Sequence, residues 1–85
     1  VTLHAPFPNP AQRDATLRYE LPEDGPVRIQ LFDVLGRRVR TVLDAIETQG
    51  EKAVTLSTDR LAPGLYFVRL EAGDTIRTQR MSVVR

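Results

Sequence analysis

The chain has 85 residues, of which 41% are hydrophobic and 27% are charged, proportions typical of one small globular domain and not of a disordered segment. Its 12 Lys and Arg side chains nearly balance its 11 Asp and Glu side chains, so no nucleic-acid partner and no attraction to an anionic membrane is expected. The absence of cysteine excludes disulfides and thiolate metal sites, and no apolar run approaches the roughly 20 residues of a membrane span.

Within this single domain of residues 1–85, residues 1–13 carry no strand pattern and are predicted to be an irregular lead-in or linker before a β-sandwich of residues 14–85. The chain begins with Val1 and has neither an initiator Met nor a basic and then apolar signal sequence. We therefore expect it to be a piece of a longer protein. His4, the only histidine, is predicted to lie at the surface.

The next two segments alternate apolar and polar residues with the period of two that is typical of strands with one buried face. Their apolar positions are Ala15, Leu17, Tyr19 and Leu21, followed by Val27, Ile29 and Leu31. Two prolines and a glycine in residues 22–26 indicate a turn between them. We predict that these two strands pair antiparallel.

A reversal is predicted at residues 33–37, because Asp33 can accept hydrogen bonds from backbone amides ahead of it and Gly36 can adopt a positive φ. A strand is expected over residues 38–43, and residues 46–50 are expected to be a loop. Alternation around Val54 and Leu56 predicts the next strand.

The last two strands are predicted to form a hairpin of residues 65–71 and 75–84. Before the hairpin, residues 57–60 have helix-capping chemistry, which is compatible with a single helical turn. In the final strand Ile76 and Met81 have opposite parity, although both are apolar. We therefore predict a β-bulge near Gln79 and Arg80, or a change of environment there.

About seven short strands without a long helix predict an all-β fold, namely an immunoglobulin-like antiparallel β-sandwich, with a barrel as the alternative. Tyr66 fits the sandwich, since such folds often place a tyrosine near the start of the penultimate strand. Its hydroxyl is expected to bond back to the corner at residues 59–63.

The residues that could support catalysis lack the necessary partners. Ser57 and Ser82 have no nucleophile context, and His4 has no positioned neighbour. The carboxylates are scattered over strand ends and turns and form no calcium-loop or paired spacing: Asp14, Glu20, Asp33, Glu51 and Asp74. We predict a protein that is not an enzyme and takes no cofactor or metal.

Three motifs occur in a specific order along the chain: Phe7-Pro-Asn-Pro10, Leu61-Ala-Pro-Gly-Leu-Tyr66 and the terminal Arg80-Met-Ser-Val-Val84. With the segments between them, they give a chain that resembles the type A carboxyl-terminal sorting domains of the type IX secretion system of Bacteroidota. It resembles FlgD-like immunoglobulin-like modules more loosely. The resemblance covers nearly the whole chain.

The resemblance implies a set of recognition residues, to which the last residue of the chain is added: Pro8, Asn9, Pro10, Gly64, Tyr66, Arg80, Met81, Val83, Val84 and Arg85. Arg80 occupies a position where lysine is common, and Ala11 one where an aromatic residue often follows the second proline. For Gly64 and Tyr66 a structural role is favoured. Residues 80–85 fit a structural role and a recognition role equally well.

The resemblance also implies a function as the non-catalytic last domain of a larger secreted protein. Its partners would be an outer-membrane type IX translocon, the upstream cargo domain of the same precursor and, in some members, a sortase-like peptidase that removes the domain before the cargo is attached to the surface. Its location would be the periplasm in transit, then the cell surface or the medium. An edge strand at the terminal hairpin could bind a partner by strand addition.

Two other functions remain open for a small β-sandwich of this kind. One is carbohydrate binding within a multidomain extracellular enzyme, for which Phe7 and Phe67 are the available aromatic contacts. The other is a passive spacer, which would bind neither a polysaccharide nor a secretion partner.

Overall fold

A computed structural model describes residues 1–84, and these residues contain seven β-strands and no helix, so none that could cross a membrane. The strands are β1 (Thr2–Leu3), β2 (Asp14–Leu21), β3 (Gly25–Asp33), β4 (Arg38–Glu47), β5 (Gly50–Ser57), β6 (Gly64–Ala72) and β7 (Thr75–Val83). They form a three-stranded sheet of order β1-β2-β5 and a four-stranded sheet of order β4-β3-β6-β7, with antiparallel neighbours throughout. The predicted all-β sandwich is confirmed.

The core lies between the two sheets and consists of the apolar positions that the alternation predicts. The largest fully buried side chains from the strands are Leu17, Tyr19, Ile29, Leu31, Leu56, Val68, Leu70, Met81 and Val83. Because side chains of a strand point alternately to opposite faces, β2, β3, β6 and β7 each give one row of side chains to this core.

The predicted pairing of the first two alternating strands is wrong. β2 pairs with β1 and β5, whereas β3 pairs with β4 and β6 in the other sheet. Residues 22–24 therefore cross from one sheet to the other instead of closing a hairpin. Alternation identifies the buried face of a strand, but it carries no information about which strand lies beside it.

The predicted irregular lead-in or linker at residues 1–13 is instead part of the packed sandwich, although most of it lies outside regular strands. β1 pairs with β2, and Leu3 and Ala11 are buried in the core. His4 is exposed, and its backbone N–H donates to the carbonyl of Arg18 at 2.9 Å. A strand of two residues is too short to show a period of two, so the sequence gives no sign of it.

β4 is longer than predicted and includes the first part of the expected loop at residues 46–50. Only Thr48 and Gln49 separate it from β5, and the backbone N–H of Gln49 donates to the carboxylate of Asp24 at 2.8 Å. Two register shifts interrupt its pairing with β3. These irregularities explain why the sequence of β4 shows no clean alternation.

The bulge predicted near Gln79 and Arg80 is absent, because β6 and β7 pair in one uninterrupted register. Ile76 is 54% exposed and lies on the outward face, so its parity conflict with Met81 disappears. On the inward face the environment does change at Gln79, whose Nε2 donates to the carbonyl of Leu3 at 2.9 Å before the buried Met81 follows.

The reversal at residues 33–37 follows the prediction. One carboxylate oxygen of Asp33 accepts the backbone N–H groups of Leu35 at 2.9 Å and Arg37 at 3.0 Å, and the other accepts Nε of Arg37 at 2.8 Å. Gly36 has a φ of +80°, which favours glycine.

These contacts predict that the Asp33 carboxyl has a pKa below its usual range, chiefly through the backbone N–H of Arg37 and then through the Arg37 side chain. An NMR titration is expected to show the low pKa, and Arg37→Ala to raise it only in part, because the backbone donors remain. The group stabilises the fold at pH values above the Asp pKa of the unfolded chain, about 3.9, and that contribution disappears as pH falls through the lower folded pKa. A full return to the unfolded pKa in Arg37→Ala would contradict this.

The helical turn considered for residues 57–60 is not formed. The chain makes a tight turn at Asp59 and Arg60, with the Ser57 hydroxyl accepting the backbone N–H of Asp59 at 3.2 Å. Arg60 adopts a φ of 68°, outside the helical region. Leu61 then enters the core.

Candidate recognition site at the carboxyl-terminal strand

The Pro-Asn-Pro motif lies along the outer edge of β7. The side-chain carbonyl of Asn9 accepts the backbone N–H of Ser82 at 2.9 Å, and its amide nitrogen donates to the backbone carbonyl of Arg80 at 3.3 Å. One side chain thus imitates the two hydrogen bonds that a neighbouring strand would supply. The flanking peptide bonds, Phe7–Pro8 and Asn9–Pro10, are both cis.

Ala11 continues this pairing with its own backbone. Its N–H donates to the carbonyl of Ser82 at 2.8 Å, and its carbonyl accepts the N–H of Val84 at 2.9 Å. The geometry is that of a short parallel bridge between Ala11 and Val83. We call residues 9–11 and 80–84 together the terminal ladder.

The terminal ladder changes the expectation of strand addition at the last strand. An exposed sheet edge binds a partner through unpaired backbone groups. From the Arg80 carbonyl to the Val84 N–H, the backbone groups that point to this edge are already bonded to Asn9 and Ala11. A partner could add a strand there only after residues 9–11 had left.

The predicted recognition residues of β7 divide between two environments. Met81 is 0% exposed and Val83 is 2% exposed, so both belong to the core. Arg80 is exposed on the outward face, and Val84 is 36% exposed. Arg85 lies outside the described residues.

The Gly-x-Tyr motif at the start of β6 lies opposite the same segment. Gly64 pairs with Val83 and Tyr66 pairs with Met81, so all three sequence motifs meet at one end of the sandwich. The Tyr66 hydroxyl donates to the carbonyl of Ala62 at 2.6 Å, within the predicted corner. Gly64 has a φ of +152°, in the region that favours glycine.

Tyr66→Phe is expected to lower the free energy of unfolding by about 1 kcal/mol, because it removes one hydrogen bond at a partly buried corner and leaves the ring in place. Urea denaturation would measure the change, and the slope with denaturant should stay the same. An unchanged midpoint would mean that the corner does not depend on this bond.

An open groove of about 450 Å³ adjoins the terminal ladder. It is lined by Pro8, Pro10, Gln12, Arg13, Asp14 and Val84. The groove joins the Pro-Asn-Pro motif to the end of the last strand on one accessible surface.

A buried tyrosine forms a hydrogen bond between the two sheets. The Tyr19 hydroxyl donates to Oε1 of Glu47 at 2.9 Å, linking β2 of one sheet to β4 of the other. Burial, and then the Glu47 carboxylate, raises the pKa of Tyr19, so the phenol stays protonated as a donor. The residues of the 1–84 segment contain no group of three metal-ligating side chains.

Ala11 is the residue of this site that sequence reasoning missed. It was noted only as a departure from the family pattern, yet it is 0% exposed and supplies two backbone hydrogen bonds to β7. More than 70 residues separate it from its partners, and backbone pairing leaves no mark on side-chain identity.

Comparison with known proteins supports the fold of the chain. The chain aligns over 96% of its length with 9% of the chain in the crystal structure of dimeric latent PorU from Porphyromonas gingivalis, at 20% sequence identity and a TM-score of 0.75. This likeness shows the same fold. A search of curated proteins returned no match.

The family model for the secretion system C-terminal sorting domain matches residues 5–84. The matched range begins before the Pro-Asn-Pro motif and ends with the last residue of the terminal ladder. The chain belongs to the family of secretion system C-terminal sorting domains.

Proposed function

We propose that this domain is the non-catalytic address of a larger secreted protein, which it directs across the outer membrane through the type IX secretion system. The observation that carries the proposal is the family match over residues 5–84, which contains all three motifs. The partners are a translocon component and the cargo region of the same precursor. The cargo passes through the periplasm and ends at the cell surface or in the medium.

Recognition in this proposal uses the folded end of the sandwich and not an unpaired terminal strand. The edge is occupied from the Arg80 carbonyl to the Val84 N–H, so at this end of the sandwich a partner can contact the exposed side chain of Arg80 and the groove between Pro8, Pro10 and Val84. Met81, Val83, Gly64 and Tyr66 act indirectly, by holding this surface in place.

The test is delivery of a reporter in a bacterium that has the type IX machinery. Residues 1–85 are fused behind a fluorescent reporter that carries a signal peptide, and surface exposure is measured by protease accessibility in intact cells. Surface delivery is expected in the parent strain and periplasmic retention in a strain without the translocon. Delivery that is equal in both strains, or retention in both, would overturn the proposal.

The proposal has two further steps at the cell surface. A sortase-like peptidase removes the domain, and the cargo is then attached to the surface. The same experiment tests removal of the domain through the mass of the delivered reporter. A reporter that has lost the 9.6 kDa domain indicates cleavage, whereas a full-length reporter indicates retention.

Carbohydrate binding is less favoured, because the exposed aromatic side chains do not form a platform. Phe7 is highly exposed, but Phe32 and Phe67 are partly buried, and the Arg69 guanidinium lies 4.4 Å from the centre of the Phe32 ring. Retention of residues 1–85 on an insoluble polysaccharide, lost in Phe7→Ala, would instead support that function.

A further inference from the structure

The outward face of the four-stranded sheet carries a row of four side chains. Only one of them, Arg80, belongs to a sequence motif. Arg38 of β4, Phe32 of β3, Phe67 of β6 and Arg80 of β7 are direct neighbours across adjacent strands. Two arginines thus flank two aromatic rings. We call these four residues the arginine-phenylalanine row.

The two arginines of this row differ from the others on the same face. Arg28 lies 3.7 Å from the carboxylate of Asp44, and Arg69 lies 3.1 Å from that of Glu71. Arg38 and Arg80 are exposed and form no ion pair with any carboxylate of residues 1–84. Positive charge is therefore left uncompensated at both ends of the row.

The middle of the row is apolar, and beside it lies a buried hydrogen-bond donor that has no acceptor among the described residues. Phe32 and Phe67 are partly buried, and the guanidinium of Arg69 lies over the Phe32 ring at 4.4 Å from its centre. The Nε atom of Arg69 is buried and has no hydrogen-bond acceptor within residues 1–84. A buried donor without an acceptor costs free energy, and an oxygen of a bound partner would satisfy it only if the Arg69 side chain turned outward.

The spacing of the row selects the shape of such a partner. Neighbouring strands lie about 4.8 Å apart, so the backbones of Arg38 and Arg80 are about 14 Å apart. An extended segment rises about 3.3 Å per residue, so its residues i and i+4 span about 13 Å and point to the same side as residue i+2. Two carboxylates with an apolar side chain between them match the row.

We propose that the arginine-phenylalanine row binds an extended acidic segment of a partner protein, with carboxylates at Arg38 and Arg80 and an apolar side chain on Phe32 and Phe67. A polyanion or lipid surface is disfavoured, because Asp44 and Glu71 lie on the same face and the net charge of the chain is only +1. The inference goes beyond the proposed sorting role, which specifies no partner chemistry.

The test uses purified residues 1–85 and a synthetic peptide, acetyl-Glu-Thr-Leu-Thr-Glu-amide. Titration followed by 15N NMR is expected to shift the amide signals of Phe32, Arg38, Phe67 and Arg80. The double variant Arg38→Glu/Arg80→Glu is expected to weaken binding about tenfold or more, because two attractions become repulsions. The matched control is Arg18→Glu, an exposed arginine on β2 of the other sheet.

Three results would overturn the proposal: equal binding of a peptide with lysines in place of the glutamates, unchanged binding by the double variant, or binding of phosphatidylglycerol vesicles instead of the peptide through the same two arginines. If the double variant is not folded by circular dichroism, Arg38→Gln/Arg80→Gln replaces it, with a smaller loss expected. Because the peptide is measured on the purified domain and sorting in cells, either proposal can fail without the other.

Discussion

A chain truncated after Gln79 is expected to lose its cooperative unfolding transition. The truncation removes the fully buried Met81 and Val83, each of which stabilises the fold by about 1.5–3 kcal/mol through burial. It also removes the hydrogen bonds that residues 80–84 make to Asn9 and Ala11 and the end of the ladder with β6. The combined loss, about 5 kcal/mol or more, approaches the whole stability of a small domain.

Thermal and urea denaturation followed by circular dichroism measure this loss. Truncation after Val84 is the matched control, because it shortens the chain at the same end and keeps the terminal ladder. A chain ending at Gln79 that melted cooperatively near the temperature of the control would contradict the prediction. If the prediction holds, a sorting defect caused by a terminal deletion reports a lost fold, and point variants are needed to locate recognition.

The second large effect is expected for Asn9→Ala. This substitution removes both side-chain hydrogen bonds to β7, and at about 1 kcal/mol each it should lower the free energy of unfolding by about 2 kcal/mol. Urea denaturation measures the change. Gln49→Ala is a suitable control, since it truncates an exposed amide side chain in the loop between β4 and β5.

Asn9→Asp separates the two bonds. The carboxylate can still accept the N–H of Ser82, but its second oxygen faces the carbonyl of Arg80, where the amide had donated. The Asn9→Asp variant should therefore be less stable than the unsubstituted chain, although it keeps the contact with Ser82. Stability equal to the unsubstituted chain in both Asn9 variants would mean that the side chain does not hold the last strand.

The sequence predicted best those features in which local residues determine local structure. Alternation in β2 and β3 identified the buried row, Asp33 and Gly36 identified a turn, and Tyr66 identified its own corner. Each of these depends on residues within a few positions of one another.

The errors concern partners that are distant along the chain. Neither the separation of β2 and β3 into two sheets nor the pairing of Asn9 with Ser82 leaves a local pattern. The bulge was predicted at Gln79 because Ile76 was assumed to be buried, yet an apolar side chain on a sheet can be left exposed. The real irregularities occur between β3 and β4.

Residues 9–11 cover the outer edge of the last strand from Arg80 to Val84. Amide hydrogen exchange of the folded chain tests this arrangement within a single strand, because Thr78 and Ser82 share the parity that points backbone groups to that edge. The Ser82 amide is bonded to Asn9, whereas no bond from the Thr78 amide to residues 1–13 exists. Slow exchange at Ser82 with fast exchange at Thr78 is the predicted result, and equally fast exchange at both would contradict it.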